Sequence, residues 1–287
     1  VDGSNTSGFQ RTTLIATDGV LQTEGGPVGV DVLCLEEDSA RKLDSELTKN
    51  GEIVTWNLDR LGIPLIEIAT APDVKSPEHA KQTAIALGRT LRDTRRVRRG
   101  LGSIRQDLNV SIMCGDRVEI KGCQDLEWIP KIIRKEMARQ LHFFRLANRL
   151  RQDSNLPLLS TDRREQSVSV SKEVAQMLPL KIIDVSKAFS SCDSKMVKQG
   201  LANDSVMLAL PLPGFATHIG TKTLDEDGAQ MPRLGRELAG AAKLAGVAGI
   251  FHSDELPAYG IEQEQVESTR DLLEGSDAFV LCLAPAW

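Results

Sequence analysis

Six short runs of strand-forming residues precede residue 152 and constrain the fold of this chain more than any other feature. Each alternates apolar and polar residues or is continuously apolar, as half-buried or buried strands are. A turn at Cys114, Gly115 and Asp116 separates the last two by a distance suited to a short hairpin, with Gly115 able to take positive φ. We therefore predict a largely antiparallel sheet. The runs are residues 11–16, 28–35, 53–58, 63–69, 108–113 and 118–121.

Two helices are predicted beside these strands. The first begins at Ser76 and Pro77, a hydroxyl N-cap followed by proline at the first helical position. The second begins near Leu126 and is long and amphipathic, with apolar residues between lysines and arginines. The apolar face of the first helix consists of Ala80, Ala84, Leu87 and Leu91.

The pattern divides near residue 152. Residues 152–177 are polar and indicate a connector, and strand-like and helical segments then alternate in a second α+β unit. Its strands are predicted at 206–210, 247–251 and 279–283, and its helices at 232–244 and 261–273. We predict a first domain at 1–152, a connector at 153–180 and a second domain at 181–287.

Composition excludes several classes of protein. The chain has 287 residues, of which 41% are hydrophobic and 26% charged, so it is neither a disordered chain nor a coiled coil. A net charge of −5 disfavours indiscriminate binding of nucleic acid, and five cysteines without paired spacing indicate no disulfide framework or zinc site. No apolar stretch is long enough to cross a bilayer and no signal peptide is visible, so a cytoplasmic protein is expected. A start at Val1 and an end at Trp287 favour a fragment cut at both ends.

Acidic residues at strand positions are the first candidates for chemistry. Glu36, Glu37 and Asp38 end an apolar run, and strand alternation prevents Glu36 and Glu37 from pointing at one ligand. Glu67 lies inside a continuous apolar run, where a buried carboxylate must be paired, protonated or bound to a cation. A solvated strand end and a structural ion pair remain open as alternatives. Together, Glu37 and Glu67 offer hard oxygen ligands for Mg²⁺.

Six arginines lie between residues 92 and 105, around Gly100 and Gly102. So many guanidinium groups repel one another unless anions lie nearby, and glycine allows the backbone to approach a phosphate closely. A solvated basic loop and a phosphate or RNA contact both explain this composition. The sequence has neither a Walker-type phosphate loop nor a dinucleotide-binding glycine pattern after a strand. The candidates for RNA contact are Arg95, Arg96, Arg98 and Arg99.

A polar strand face is the third candidate. Alternation from residue 105 to 110 places Arg105, Asp107 and Asn109 on one face, and Lys121 can join them from the neighbouring strand. An ordinary water-facing surface gives the same pattern. The four histidines show neither metal-ligand spacing nor a nearby nucleophile, which favours structural or exposed roles.

Three segments together resemble the B/E family of tRNA-dependent amidotransferase subunits, namely residues 34–38, 57–73 and 102–111. Residues 2–11 and 118–122 are more similar to the archaeal-type GatE branch of that family than to the GatB branch. From residue 212 onward, including 234–238 and 249–260, the chain resembles the GAD domain that GatE shares with bacterial aspartyl-tRNA synthetases. The resemblance covers nearly the whole chain. It implies an α+β architecture, with part of an antiparallel-sheet cradle followed by an inserted α+β domain.

The resemblance implies a carbon–nitrogen ligase that converts Glu-tRNA(Gln) into Gln-tRNA(Gln). ATP phosphorylates the tRNA-linked glutamate, and ammonia from an asparaginase-like amidase, the D-type partner, then displaces phosphate. The family's Mg²⁺ ligands and catalytic carboxylates correspond here to Glu37 and Glu67, and a third ligand, a histidine, would lie upstream of Val1. The implied partners are tRNA(Gln) and the D-type amidase, in a heterotetramer. The polar face of Arg105, Asp107, Asn109 and Lys121 becomes a candidate for ATP or phosphate, and the arginines become candidates for tRNA.

Two other functions are considered beside this one. The chain could serve as a tRNA-binding and partner-docking scaffold without catalysis, or it could belong to the related GatB branch. Residues 181–287 argue against GatB, since GatB lacks the inserted domain. Without the family's remaining domains, the isolated chain is expected to be inactive.

Overall fold

The computed structural model describes residues 10–100, 102–166, 181–247 and 249–285. The chain divides into two compact units, one of residues 1–108 and 120–134 and the other of residues 109–119 and 135–287. The domain boundaries predicted from the sequence stay a prediction, and residues 167–180 of the predicted connector lie outside the described residues. Within the described ranges, no helix is both long and apolar enough to cross a membrane.

Three strands form the main sheet of the first unit, in the order β1-β2-β5: β1 (Thr12–Thr23), β2 (Gly26–Glu37) and β5 (Pro64–Thr70). Both strand pairs are antiparallel, as predicted. The β1–β2 hairpin closes where Thr23 faces Gly26, and Gly26 has a φ of 118° that a side chain would disfavour.

A separate antiparallel ribbon consists of β3 (Arg41–Thr48) and β4 (Gly51–Asn57). The sequence predicted β4 but not β3, because β3 is rich in charged residues and lacks an apolar run. Its two leucines, Leu43 and Leu47, are exposed by 51% and 87%, so β3 buries no face that a pattern could reveal.

Helix α1 (Pro77–Asp93) begins where predicted, with the Ser76 hydroxyl accepting the His79 backbone N–H at 3.1 Å. Its most buried residues are His79, Thr83 and Gly88, about one position away from the predicted apolar face. That predicted face is half-buried and consists of Ala80, Ala84, Leu87 and Leu91.

His79 explains this rotation because it connects α1 to the β1–β2 hairpin. Its Nδ1 accepts the Lys75 backbone N–H at 3.2 Å, which leaves the proton on Nε2 to be donated to the Thr23 hydroxyl at 2.8 Å. Thr23 in turn donates to the Gly26 carbonyl at 2.6 Å. A Cβ at Gly25 would lie 2.6 Å from the His79 ring, so this close approach requires glycine.

The predicted long helix is present as a 3-10 turn (Leu126–Trp128) followed by α2 (Ile129–Asp153), which begins in the first unit and continues into the second. In the second unit, the buried Gln140 of α2 donates to the Val110 carbonyl at 3.0 Å and accepts the Ile112 N–H at 3.2 Å. Gly115 does not have positive φ. It is glycine because a Cβ there would lie 2.2 Å from Gln140 Oε1.

The second unit contains an antiparallel sheet in the order β10-β11-β9-β8. Its predicted strands and helices are all present, and β8 and α3 are additional elements that the sequence did not reveal. The strands are β8 (Ile183–Asp184), β9 (Ser205–Pro211), β10 (Ile250–His252) and β11 (Phe279–Pro285), and the helices are α3 (Lys195–Ala202), α4 (Leu234–Leu244) and α5 (Gln263–Leu272). The short strands β6 (Leu108–Val110) and β7 (Val118–Ile120) form a separate two-stranded sheet.

Both faces of the second unit's sheet are covered. Met207 and Ala209 of β9 and Leu281 of β11 lie in one fully buried cluster. On the opposite face, Ile219 is buried against a smaller cluster that includes partly buried Leu238 of α4. This arrangement confirms the prediction of an α+β unit after residue 180.

Candidate functional site

Glu37 lies at the last position of β2, as predicted, beside the start of β1. Its Oε2 accepts a hydrogen bond from Arg11 Nε at 2.9 Å, with 53% of the Arg11 side chain and 40% of the Glu37 side chain exposed. Glu36 accepts a hydrogen bond from the Thr12 hydroxyl at 2.9 Å. The two adjacent glutamates therefore use different neighbours on β1.

The β2–β5 register determines which glutamate shares a face with Glu67. Cys34 pairs with Glu67, Glu36 with Leu65 and Glu37 with Pro64. Directly paired residues share a sheet face and successive residues alternate, so Glu67 lies on the face of Cys34 and Glu36. Glu37 lies on the other face. The sequence could not reveal this, because the face of a residue depends on the register between strands.

The structure corrects the expectation that Glu67 is buried. Glu67 is exposed, as is Ile66 beside it, which is 52% accessible. The apolar run in β5 reflects a strand with both faces partly open rather than a strand inside a core. Burial therefore does not require a cation at Glu67, and the case for one depends on the acidic neighbours and the family resemblance.

Asp38 positions the start of β5 and was not singled out by the sequence. It is 6% exposed, its N–H donates to the Ile63 carbonyl at 2.8 Å, and its carbonyl accepts the Gly62 N–H at 3.1 Å. One carboxylate oxygen accepts the Ser39 N–H at 3.0 Å and the other lies 3.7 Å from Arg60 Nε. Asp38 thus fixes the turn that leads into the strand of Glu67.

The glutamates fit Mg²⁺ by donor type. Mg²⁺ prefers carboxylate oxygens and keeps several waters, and Glu36, Glu37 and Glu67 supply such oxygens at positions that water reaches. Across the part of the chain that the structure describes, no group of three or more metal-binding side chains converges. Regular alternation favours Glu36 with Glu67, whereas an ion shared by Glu37 and Glu67 would require the Glu37 side chain to reach past the end of β2.

The predicted arginine cluster is an exposed basic surface. Helix α1 ends near Arg92, and Arg95 follows in the left-handed region with a φ of 57°, as at many helix ends. None of the exposed arginines at 92–99 has an ion-pair partner among the residues that the structure describes. Their charges are therefore available to an anionic ligand. Those predicted to contact RNA are Arg95, Arg96, Arg98 and Arg99, all exposed.

Three of the four residues of the predicted polar face belong to the first unit. Lys121 Nζ lies 3.4 Å from Asp107 Oδ2, and the Gly122 N–H donates to Asp107 Oδ1 at 3.2 Å. Arg105 and Asp107 are exposed, and regular strand structure begins only at Leu108. Asn109 is an exposed residue of the second unit. Their roles in binding ATP or phosphate stay predictions.

Comparison with known proteins gives consistent matches. The chain is 43% identical over 285 residues to the GatE subunit of glutamyl-tRNA(Gln) amidotransferase from Methanocaldococcus jannaschii, covering 98% of the chain and 40% of that protein. It is 46% identical over 286 residues to the same subunit from Pyrococcus furiosus, covering 99% and 41%. Its identity to the Sulfurisphaera tokodaii protein of that name is 41% over 288 residues, covering 99% and 42%. The chain thus spans about two fifths of the length of these relatives.

A family model extends over more than half of the chain. Residues 1–178 match the GatB/GatE catalytic domain. That range includes the strands of Glu37 and Glu67, the arginine cluster and the Asp107–Lys121 contact. The chain belongs to the GatB/GatE catalytic-domain family.

Proposed function

We propose that this chain forms the catalytic part of GatE, a subunit of glutamyl-tRNA(Gln) amidotransferase. The observation that carries the proposal is the family match over residues 1–178, supported by relatives that bear the GatE name. The naming of these relatives does not favour GatB. The exposed arginines and the glutamates open to solvent supply the charges that a tRNA and a phosphorylated substrate need.

The reaction joins ammonia to the side-chain carboxylate of glutamate on tRNA. A carboxylate is a poor acyl donor because its leaving group would be an oxide, so the γ-phosphoryl group of ATP is first transferred to a carboxylate oxygen, giving an acyl phosphate and ADP. Ammonia then attacks the carbonyl carbon, the carbon–oxygen bond to phosphate breaks, and the new amide loses a proton. Bound Mg²⁺ would neutralise charge on the phosphoryl oxygens.

Glu67, with Glu37 or Glu36, would hold that ion. Arg105, Asp107, Asn109 and Lys121 are proposed to bind ATP or the acyl phosphate. Asp107 already accepts from Lys121 and Gly122, so it would orient the Lys121 ammonium rather than meet the phosphate itself. Arg95, Arg96, Arg98 and Arg99 are proposed to bind tRNA phosphates.

The remaining parts of the proposal concern the assembly. Ammonia must arrive unprotonated, so we propose an asparaginase-like amidase, the D-type partner, as its source, with glutamine or asparagine as nitrogen donor. A heterotetramer with tRNA(Gln) as substrate, in the cytoplasm, completes the proposal. Residues 181–287 are proposed to form the inserted GAD domain, and their mixed sheet-and-helix architecture supports that assignment.

ATP cleavage that depends on Glu-tRNA(Gln) tests the catalytic assignment. In a full-length GatE with its amidase partner, Glu67→Gln is expected to lower the rate about 100-fold, the usual cost of removing one preorganised charge-stabilising group. Glu46→Gln, on the exposed ribbon, is the matched control and should keep the normal rate. Parallel Glu36→Gln and Glu37→Gln variants identify the partner of Glu67. Normal rates in Glu67→Gln and in both of these variants would refute the assignment.

A non-catalytic tRNA-binding scaffold is the second candidate, favoured by the exposed arginines. Both candidates predict that an Arg96→Ala/Arg99→Ala variant binds tRNA more weakly, with the logarithmic salt slope reduced by about one for each phosphate that is no longer neutralised. An Arg41→Ala/Lys49→Ala variant removes two exposed cations from the ribbon as the control. Normal ATP cleavage in Glu67→Gln together with impaired tRNA binding in the arginine variant would favour the scaffold.

A further inference from the structure

The second unit contains a surface depression that the proposed chemistry does not use. Its volume is about 440 Å³, within the range of small-ligand sites. Its lining includes Lys222, Gln230, Arg233, Glu255 and Tyr259. An adjoining depression of about 360 Å³ shares Gln230 and Arg233 and extends to Arg236 at the start of α4. We call these two connected depressions the Tyr259 groove.

The acidic residues of the Tyr259 groove are already satisfied. Asp254 accepts the backbone N–H groups of Thr217 at 3.0 Å and Gly220 at 2.8 Å, one on each carboxylate oxygen. Glu255 accepts from Arg233 Nη1 at 2.5 Å and lies 3.2 Å from His252 Nε2. These carboxylates hold the walls in place, and neither repels an incoming anion with an unshared charge.

Two cations of the groove differ from Arg233 in their surroundings. Lys222 and Arg236 are exposed, and neither forms an ion pair with any residue in the described part of the chain. With Arg233 bound to Glu255, the groove presents these two positive charges to solvent. An anionic group is therefore the favoured occupant of this end.

Tyr259 supplies an aromatic surface at the other end. It is 63% exposed, and its ring centroid lies 5.9 Å from that of the buried Phe251. Its φ of 61° is unusual for a bulky residue, and with Gly260 it forms a two-residue turn between the bridged Ala258 and Ile261. The turn thus holds at its tip a large ring that would be more easily accommodated elsewhere.

We propose that the Tyr259 groove binds a nucleotide unit, with the base stacked on Tyr259 and the phosphate held by Lys222 and Arg236. Stacking platforms beside basic grooves are the usual means of binding unpaired nucleotides. The Gln230 amide can meet polar edges of the base or ribose. An acidic peptide fits less well, because the lining offers no apolar pocket for its side chains. This site lies outside the glutamate and arginine surfaces of the proposed catalytic function and does not depend on them.

The single tyrosine of the chain allows a direct test. The chain labelled with 3-fluorotyrosine gives one ¹⁹F resonance, which is followed during titration with AMP, an adenosine tetranucleotide, inorganic phosphate and a tetraglutamate peptide. Saturable shifts with AMP or the tetranucleotide, and none with phosphate or peptide, are expected. Tighter binding of the tetranucleotide would identify an RNA segment as the occupant, whereas equal affinities would identify a free nucleotide.

Variants assign the binding to the groove. Lys222→Ala and Arg236→Ala are each expected to weaken nucleotide binding several-fold and to reduce its salt dependence. Lys243→Ala, an exposed lysine at the far end of α4, is the control and should bind normally. Tyr259→Gly relieves the left-handed backbone, and calorimetry should show binding weakened about tenfold or more. Thermal melting verifies that each variant is folded.

The inference is overturned if neither nucleotide shifts the resonance, if the peptide shifts it as strongly, or if the folded Tyr259→Gly variant binds normally. None of these outcomes affects ATP cleavage by the first unit, so a failure here is distinguishable from a failure of the proposed function.

Discussion

The two units bury their apolar residues very differently. The second unit has a cluster of fully buried side chains, including Phe189, Phe279 and Leu281, each with no exposed surface. The main sheet of the first unit leaves Leu14, Val20 and Ile66 more than half exposed. The residues proposed for chemistry thus lie on an open surface, whereas the tightly packed core lies in the other unit.

This difference separates function from stability along the chain. Glu36, Glu37, Glu67 and the arginines at 92–99 are half-buried or exposed, so changing them removes little packing. A loss of activity in such variants can therefore be assigned to chemistry rather than to unfolding. Core substitutions in the second unit should behave in the opposite way.

The largest effect is expected from Phe279→Ala. Phe279 is fully buried and lies between β10 and β9 in the second unit's sheet, so truncation should cost about 3–5 kcal/mol of the free energy of unfolding. Ile66→Ala in the first unit is the control, with an expected cost below about 1 kcal/mol. Urea denaturation of both variants measures this contrast, and equal costs would contradict it.

The next effect is expected from Thr23→Val in the first unit. This substitution removes the partner of His79 Nε2 and leaves a buried donor unsatisfied, which costs about 1–3 kcal/mol. Thr17→Val, on the exposed part of the same strand, should cost little. Denaturation with a probe in the first unit checks this pair. If Thr23→Val is as stable as Thr17→Val, polar contacts do not compensate for the small core of this unit.

A smaller, pH-dependent effect is expected at His252. Burial lowers the pKa of His252 below 6.5, although Glu255 and Asp254 act to raise it and Arg233 acts to lower it. The unfolded chain then binds the proton more readily, so stability is complete above about pH 6.5 and declines as the pH falls through the folded pKa. His252→Gln should flatten that decline, while His218→Gln should keep it. Identical pH profiles for wild type and His252→Gln would refute this assignment.

The smallest effect is expected from Arg11→Ala. Its ion pair with Glu37 is exposed on both sides, so the loss should be about 0.5 kcal/mol or less, and smaller still at high salt. Chemical denaturation at low and high salt measures it. A loss above about 2 kcal/mol would show that the open surface of the first unit is more tightly coupled to its stability than its exposure suggests.

Local signals predicted much of the fold. The Ser76 cap predicted the start of α1, and apolar runs predicted the strands of both units except β3 and β8. Those two lack a readable pattern, because β3 is polar and exposed and β8 has only two residues. The rotation of α1 toward His79 depends on a hydrogen bond to Thr23, 56 positions away, which no local pattern encodes.

The candidate site was predictable in composition but not in geometry. The acidic strand end and the basic segment were visible as clusters of charge, and both are solvent-accessible in the structure. The face shared by Glu36 and Glu67 follows from the β2–β5 register, and the role of Asp38 follows from hydrogen bonds to residues 62 and 63. Both arise from pairing between segments far apart in sequence.

Binding of Mn²⁺, used in place of Mg²⁺ and followed by electron paramagnetic resonance, tests most directly whether Glu67 holds a divalent cation. In the full-length protein, Glu67→Gln is expected to weaken Mn²⁺ binding about tenfold or more, while Glu46→Gln binds as wild type does. The register predicts that Glu36→Gln weakens binding more than Glu37→Gln. Equal Mn²⁺ affinity in wild type and Glu67→Gln would contradict the account.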